Sequence, residues 1–260
     1  MAVTLENVLV EDSLPTVVIT LNRPDKLNAL SVALMSELTA TLQREGERGE
    51  VAVIVIRGAG RAFSAGHDLK ELVNRTLDEE RAVFQACERL MAVVQSIPQP
   101  VIASVHGIAT AAGCQLVAAC DLAVASSDSR FATNGIRNGI FCYTPMVPVS
   151  RAIGRKRALE MVLTGNFIDA ETAERWGLVN RVVPPDQLEA AVMELAGQIG
   201  SLSPVAVRTG KAAFYQQVEL PQQEAYGLMT EAIACNALTE DAQEGMSAFL
   251  EKRKPTWKGR

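Results

Sequence analysis

The stretch Arg57–Leu72, RGAGRAFSAGHDLKEL, comes straight after the β-branched run Val51–Ile56. A continuous apolar run of that kind predicts a strand buried on both faces. A buried strand that empties into glycines and alanines presents free backbone N–H groups, and side chains this small let a ligand come close. Ser64, His67 and Asp68 stand among them. As residue types they fit a hydrolase triad, but triads are spatial sets drawn from distant segments, and no G-x-S-x-G elbow is present. Gly58 and Gly60 begin a G-x-G whose third glycine is replaced by Phe63, so the dinucleotide fingerprint fails.

Upstream, Val8–Asn22 reads as two short strands around a turn at Glu11–Pro15, with Val17, Ile19 and Leu21 on one face. Ser31 is placed to cap a helix carrying Leu34, Leu38 and Leu42 and ending near Gly46. Downstream, Val83, Cys87, Leu90, Val94 and Ile97 form a helical stripe over residues 78–97, stopped by Pro98 and Pro100. Val101–Val105 predicts a strand, Ala111–Cys120 a helix and Leu122–Ala125 a strand again. Such alternation implies parallel crossovers and an α/β layered core.

If the strands at 51–56 and 101–105 are neighbours, the turns at 64–69 and 107–113 face one another at their carboxyl ends, where open α/β sheets bind ligands. One N–H from each turn then holds an oxygen that gains negative charge. Close helix packing explains the same small residues, and spacing alone leaves both readings standing.

After Arg151 the pattern turns mostly helical. Asp169 opens a short helix closed by Gly177, and Val179–Val183 is a last strand ended by Pro184 and Pro185. Three more helices are expected: one from near Asp186, one capped by Ser203 with Pro204 in its first turn, and one running to Phe249 and Leu250.

The chain has 260 residues, 48% of them hydrophobic, and a net charge of −5 without a basic stripe, which argues against nucleic acid as a partner. Five cysteines with no C-x-x-C pair suit reduced thiols and a cytoplasmic setting. Two histidines without ligand spacing give no metal site. The opening MAVTLENV has no leader pattern, and Val101–Cys120 is too broken by Ser104, His106 and Gly107 to span a membrane.

Four segments carry a wider pattern: NRPDKLNAL (22–30), FSAGHDLKEL (63–72), AAGCQLVAACDLAVA (111–125) and EGMSAFLEKRKP (244–255). In this order and spacing they resemble the enoyl-CoA hydratase/isomerase (crotonase) superfamily. The resemblance implies an α/β spiral of β-β-α units over residues 1–200 and a helical trimerisation region over 201–260, assembled as a homotrimer or homohexamer. It implies an acyl-CoA thioester as ligand, with coenzyme A as part of the substrate and no covalently bound cofactor.

Carried over, the oxyanion donors are the backbone N–H groups of His67 and Ala112. Ala65, Asp68, Leu69 and Lys70 match the segment that wraps the CoA adenine and ribose. Lys26 and Leu27 match the loop that meets nucleotide and pantetheine, and Phe249 and Lys252 match C-terminal positions that reach CoA. Phosphates would explain the basic cluster Lys252, Arg253, Lys254, Lys258 and Arg260.

Hydratases of this family use two glutamates for proton transfer. Gln115 and Gly135 stand at those positions, and neither is a base at neutral pH. Glutamate at both is expected to raise any hydration.

The FSAGHDL loop also resembles that of the family's methylmalonyl-CoA decarboxylases, which place a tyrosine near Tyr143. That residue, one position out of register, also reads as a packed aromatic with a bonded hydroxyl, and this reading is favoured. The expectation is thus an enoyl-CoA hydratase-type enzyme acting through an oxyanion hole, with a decarboxylase-like enzyme or a non-catalytic acyl-CoA binder as alternatives.

Overall fold

The computed structural model describes residues 6–260; the reading of the first five residues as free of a leader lies outside them. β1 (Val8–Ser13) and β2 (Thr16–Leu21) form an antiparallel hairpin with Val8 opposite Leu21. The turn is narrower than expected, because strand geometry persists through Ser13. Ser31 caps α1 (Val32–Gly46) by accepting from Leu34 N–H, and β3 (Val53–Gly58) follows. Thr76 and Glu79 form a reciprocal capping box at the start of α2 (Leu77–Ser96).

Next come β4 (Val101–Val105), β5 (Ile108–Thr110), α3 (Ala112–Ala119), β6 (Leu122–Ser126) and β7 (Arg130–Ala132). α4 (Met146–Ile153), α5 (Arg155–Thr164), β8 (Ile168–Asp169), α6 (Ala170–Trp176) and β9 (Arg181–Val183) complete the sheets. The remainder is helical: α7 (Leu188–Gly200), α8 (Pro204–Gln217), α9 (Gln222–Ala237) and α10 (Glu240–Leu250). Among the described residues no single helix is long and apolar enough to cross a membrane.

The main sheet has the order β1-β2-β3-β4-β6-β9, antiparallel only at the first pair. Alternate side chains feed two cores. Ile19, Ile54, Ile56, Val101 and Ala103 meet α1 and α2 through Leu34, Leu38, Cys87, Leu90 and Val94. Val18, Val53, Val55, Ile102 and Val124 meet α7 through Leu188, Val192 and Leu195. Full burial of such side chains contributes about 1.5–3 kcal/mol each, which explains why β3 is apolar on both faces. A second sheet, β5-β7-β8, has strands of two or three residues, too short for alternation to show in the sequence.

α8 is pinned to the core by a buried cation. Lys211 Nζ donates to the carbonyls of Val94 (2.8 Å) and Gln99 (2.9 Å) and meets the Asp121 carboxylate at 2.7 Å. The Tyr215 hydroxyl donates to the same carboxylate at 2.8 Å. α9 was not visible in the sequence because its apolar residues face outward; Tyr226, Leu228 and Ile233 are exposed and only Ala225 is buried.

Three residues of the basic cluster at the C-terminus are paired with acids. Arg253 pairs with Glu244 and Glu251, and Lys258 and Arg260 pair with Glu240, so the tail folds back along α10. The Trp257 indole N–H donates to the Ser201 carbonyl and fixes the return.

Candidate active site

β3 and β4 are parallel neighbours, with Ile54 opposite Val101, so the loops that leave their carboxyl ends lie side by side. Ser64 pairs with Ala109: its N–H donates to the Ile108 carbonyl at 3.1 Å, and its carbonyl accepts from Thr110 N–H at 2.9 Å. The Thr110 hydroxyl donates to the Ala65 carbonyl at 3.0 Å. Two glycines set how close the loops come. A Cβ on Gly66 would lie 2.8 Å from the Thr110 carbonyl and 3.2 Å from Ala112 N, and one on Gly113 would lie 2.4 Å from the Ser64 carbonyl. Any side chain at either position forces the two turns apart.

The contact leaves two donors without partners. Leu30 bonds the carbonyl of Gly66 and the N–H of Asp68, so the N–H of His67 between them points the other way. Ala112 is the first residue of α3, where a helix N–H has no partner within its own helix. Among the described residues neither N–H meets an acceptor. Ala111, just before it, holds a left-handed φ of 48°, unusual for a residue with a side chain, and its N–H is tied to the Ala132 carbonyl at 2.9 Å. This sharp entry aims the start of α3, with its positive dipole end, into a cleft of about 570 Å³.

His67, Ala112, Ala65 and Leu69 line that cleft, as do Gly135 and Tyr143 on the opposite wall. The sequence reading missed Phe84, Asn134, Asn138 and Thr144. Phe84 sits beside the core stripe of α2, and the two asparagines flank the position where Gly135 drew attention. Among the described residues no Asp, Glu, Lys or Arg side chain lines the cleft. Burial pushes the His67 imidazole down to about 4, so it is neutral at pH 7. Its ring stacks on Phe84 with centroids 5.2 Å apart, and both ring nitrogens lack a hydrogen-bond partner.

The hydrolase triad is excluded by partners. Ser64 Oγ is buried and donates to the Asn28 carbonyl at 2.8 Å. Asp68 pairs with Arg23 at 2.9 Å and accepts from Lys70 N–H; although burial opposes it, these contacts hold its carboxyl below the usual range.

The two positions at which the resemblance places glutamates in hydratases differ. Gln115 is buried and lines a neighbouring cavity; its Oε1 accepts from Cys87 Sγ at 3.7 Å. Burial pushes the Cys87 thiol up to about 12, so it stays a donor. Gly135 is in the cleft wall, but a Cβ there would lie 2.6 Å from the Ile140 carbonyl and 2.9 Å from Cys142 Sγ. Replacing Gly135 with glutamate therefore requires backbone movement, against the expectation of simple restoration.

Lys26, Leu27, Asp68, Lys70, Phe249 and Lys252 do not line the cleft. Leu27 supports it from behind, its carbonyl accepting from Ala65 N–H at 2.9 Å. Phe249 is 82% exposed at the end of α10.

An α/β core with two preformed N–H donors over a carboxylate-free cleft defines the class of site. The family model described as Enoyl-CoA hydratase/isomerase matches residues 13–260. The chain belongs to that family. It is 48% identical over 240 residues to the mouse (Mus musculus) protein named Enoyl-CoA hydratase domain-containing protein 3, mitochondrial, covering 92% of this chain and 80% of that one.

Among solved structures, an enoyl-CoA hydratase of Mycobacterium smegmatis superposes with a TM-score of 0.95 at 46% identity, covering 97% of this chain and 99% of that chain. The human enoyl Coenzyme A hydratase domain-containing protein 3 gives 0.95 at 44% identity, covering 97% and 100%. These likenesses place the chain among crotonase folds. The cytoplasmic location read from the cysteines is overturned: the mouse, rat and human relatives are all named as mitochondrial.

Proposed function

We propose that this chain binds an acyl-CoA thioester in the 570 Å³ cleft and stabilises negative charge on its carbonyl oxygen through His67 N–H and Ala112 N–H. The carrying observation is that both donors are unpartnered and stand on turns locked together at Gly66 and Gly113. A preformed donor of this kind contributes about 2.7–4 kcal/mol to an enolate-like transition state. Water addition by a glutamate pair is not available, because Gln115 and Gly135 supply no base. Each such loss costs about 10²- to 10⁴-fold in rate.

Family members act as oligomers, and a trimer or hexamer fits the apolar side chains exposed on α8–α10, among them Phe214, Ile233, Leu238 and Phe249. CoA contacts through Lys26, Leu27, Ala65, Asp68, Leu69 and Lys70, and through Phe249 and Lys252 of α10 and its end, belong to this reading.

A second reading is favoured by the absence of ionised side chains in the cleft. A 2-carboxyacyl thioester placed there loses the solvation of its carboxylate. The Cα–carboxylate bond breaks, CO₂ leaves, and the electron pair becomes an enolate whose oxygen the two N–H groups hold. Tyr143, 67% exposed at the rim, or water then returns a proton to Cα. In the binder alternative, thioesters stabilise the chain and nothing turns over.

The test combines thermal shift with mass spectrometry on free CoA, crotonyl-CoA and methylmalonyl-CoA. Stabilisation by thioesters beyond free CoA is expected, with slow hydration at most. Hydratase rates of the ordinary order would refute the reading of Gln115 and Gly135, and CO₂ release would select the decarboxylase.

A further inference from the structure

Among the described residues that line the cleft, only Ala111 combines a side chain with a positive φ. Its φ of 48° and ψ of −117° lie outside the left-handed helical basin, in which Leu27 rests at 49° and 38°. They match the first central position of a type II′ turn, which glycine dominates because a Cβ there crowds the backbone. Alanine at this position is strained.

The strain persists because both polar groups of Ala111 are committed. Its N–H donates to the Ala132 carbonyl at 2.9 Å, and its carbonyl accepts from Gln115 N–H at 3.0 Å. One residue earlier, Thr110 N–H donates to the Ser64 carbonyl at 2.9 Å and the Thr110 hydroxyl to the Ala65 carbonyl at 3.0 Å. Turning Ala111 to a negative φ redirects its N–H or its carbonyl. The conformation therefore lasts as long as β7, the 64–69 turn and α3 hold their places.

The methyl group of Ala111 stands in the notch that Gly66 leaves open. A Cβ on Gly66 would lie 2.9 Å from the Ala111 Cβ, beside the Thr110 carbonyl and Ala112 N. Gly66 directly precedes His67, and Ala111 directly precedes Ala112. Each donor N–H thus belongs to the peptide unit that leaves one of these two residues. Their contact sets how far apart the donors stand and how they converge. Glycine at 111 would adopt the same backbone without strain, but it would leave the notch empty and let the turns slide.

We infer that Ala111 is a positioning residue for the donor pair: its methyl group, held on a strained backbone, wedges Gly66 against the start of α3 and fixes the spacing of the His67 and Ala112 N–H groups on a thioester oxygen. This rests on the thioester reading above. Both donors must reach one oxygen at about 2.7–3.1 Å, so a small slide of either turn weakens the hold.

The experiment compares the full-length chain in its native assembly with Ala111→Gly and with Ala111→Ser, which keeps a Cβ. Urea unfolding reads the strain. At an unstrained position, alanine to glycine lowers the folded-to-unfolded ratio by about two- to fivefold. Here Ala111→Gly is expected to raise it by about two- to tenfold. Infrared spectra of bound butyryl-CoA, labelled with ¹³C at the thioester carbonyl, read the donors. The downward shift of that band is expected to shrink and the band to broaden in Ala111→Gly, while Ala111→Ser keeps the wild-type shift.

An Ala111→Gly chain that is less stable than the wild type, or does not fold, overturns the strain and the proposal with it. A carbonyl shift in Ala111→Gly equal to that of the wild type shows that the methyl group sets nothing, and leaves the thioester reading intact. A shift that shrinks equally in folded Ala111→Ser overturns the wedge as well. Absence of any shift in the wild type, or failure to bind butyryl-CoA, removes the underlying reading itself.

Discussion

The cleft wall built from residues 63–69 and the start of α3 differs sharply from the wall built from residues 134–145. The first is cross-tied by backbone bonds from Ser64, Thr110 and Leu30, and glycines hold its two turns in contact. The second is a short 3₁₀ turn over Asn134–Asn138 followed by Ile140, Phe141 and Tyr143, all partly or largely exposed. The donor wall retains what polarises a carbonyl. The facing wall carries no carboxylate among the described residues, and Ile140 and Cys142 crowd the space over Gly135. On the reading proposed above, binding and charge stabilisation are carried by one wall and are separable from proton transfer.

The largest effect should come from deleting a donor. Ala112→Pro removes the N–H at a first helical position, which tolerates proline. On protein that keeps its helical circular dichroism, turnover of any processed thioester should fall about 10²- to 10³-fold. An unchanged rate would mean that Ala112 N–H holds no developing charge.

Next, Gly135→Glu should destabilise the chain by about 1–3 kcal/mol in urea unfolding, because its Cβ meets the Ile140 carbonyl, and crotonyl-CoA hydration should not rise. A gain in hydration without loss of stability would show that this wall is pliable.

His67 gives a pH signature of about 2 kcal/mol. Its folded value of about 4 lies below the ordinary 6.5, so the unfolded state binds a proton that the folded state refuses. Stability from this group is full above pH 6.5 and is lost as pH falls through 6.5 towards 4, about 2 kcal/mol of it by pH 5. Urea titrations at pH 8 and pH 5 should show this difference shrink in His67→Phe. The smallest effect is expected from Gln115→Glu alone. It places a carboxylate beside Cys87 without a partner across the cleft, and hydration measured with crotonyl-CoA should rise less than tenfold.

Much of the donor wall was legible in the sequence because its causes are local. A β-branched run marks β3, Ser31 and Thr76 mark helix starts, and a small-residue loop after a strand marks free N–H groups. The resemblance to crotonases then assigned the two donors, and the structure brings those loops together. What stayed hidden depends on distant partners. That three of the five basic tail residues pair with acids of α10 requires the chain to fold back, which no local pattern encodes. The crowding at Gly135 comes from Ile140 and Cys142 curling over it. The outward-facing residues of α9 leave no buried stripe to read.

The most direct measurement is isotope-edited infrared spectroscopy of an acyl-CoA labelled with ¹³C at the thioester carbonyl. On binding, that band should move to lower frequency, because two N–H donors withdraw electron density from the oxygen, and the movement should shrink in Ala112→Pro. A bound thioester whose carbonyl band stays at its position in water would contradict the assignment of His67 and Ala112 as the oxyanion pair.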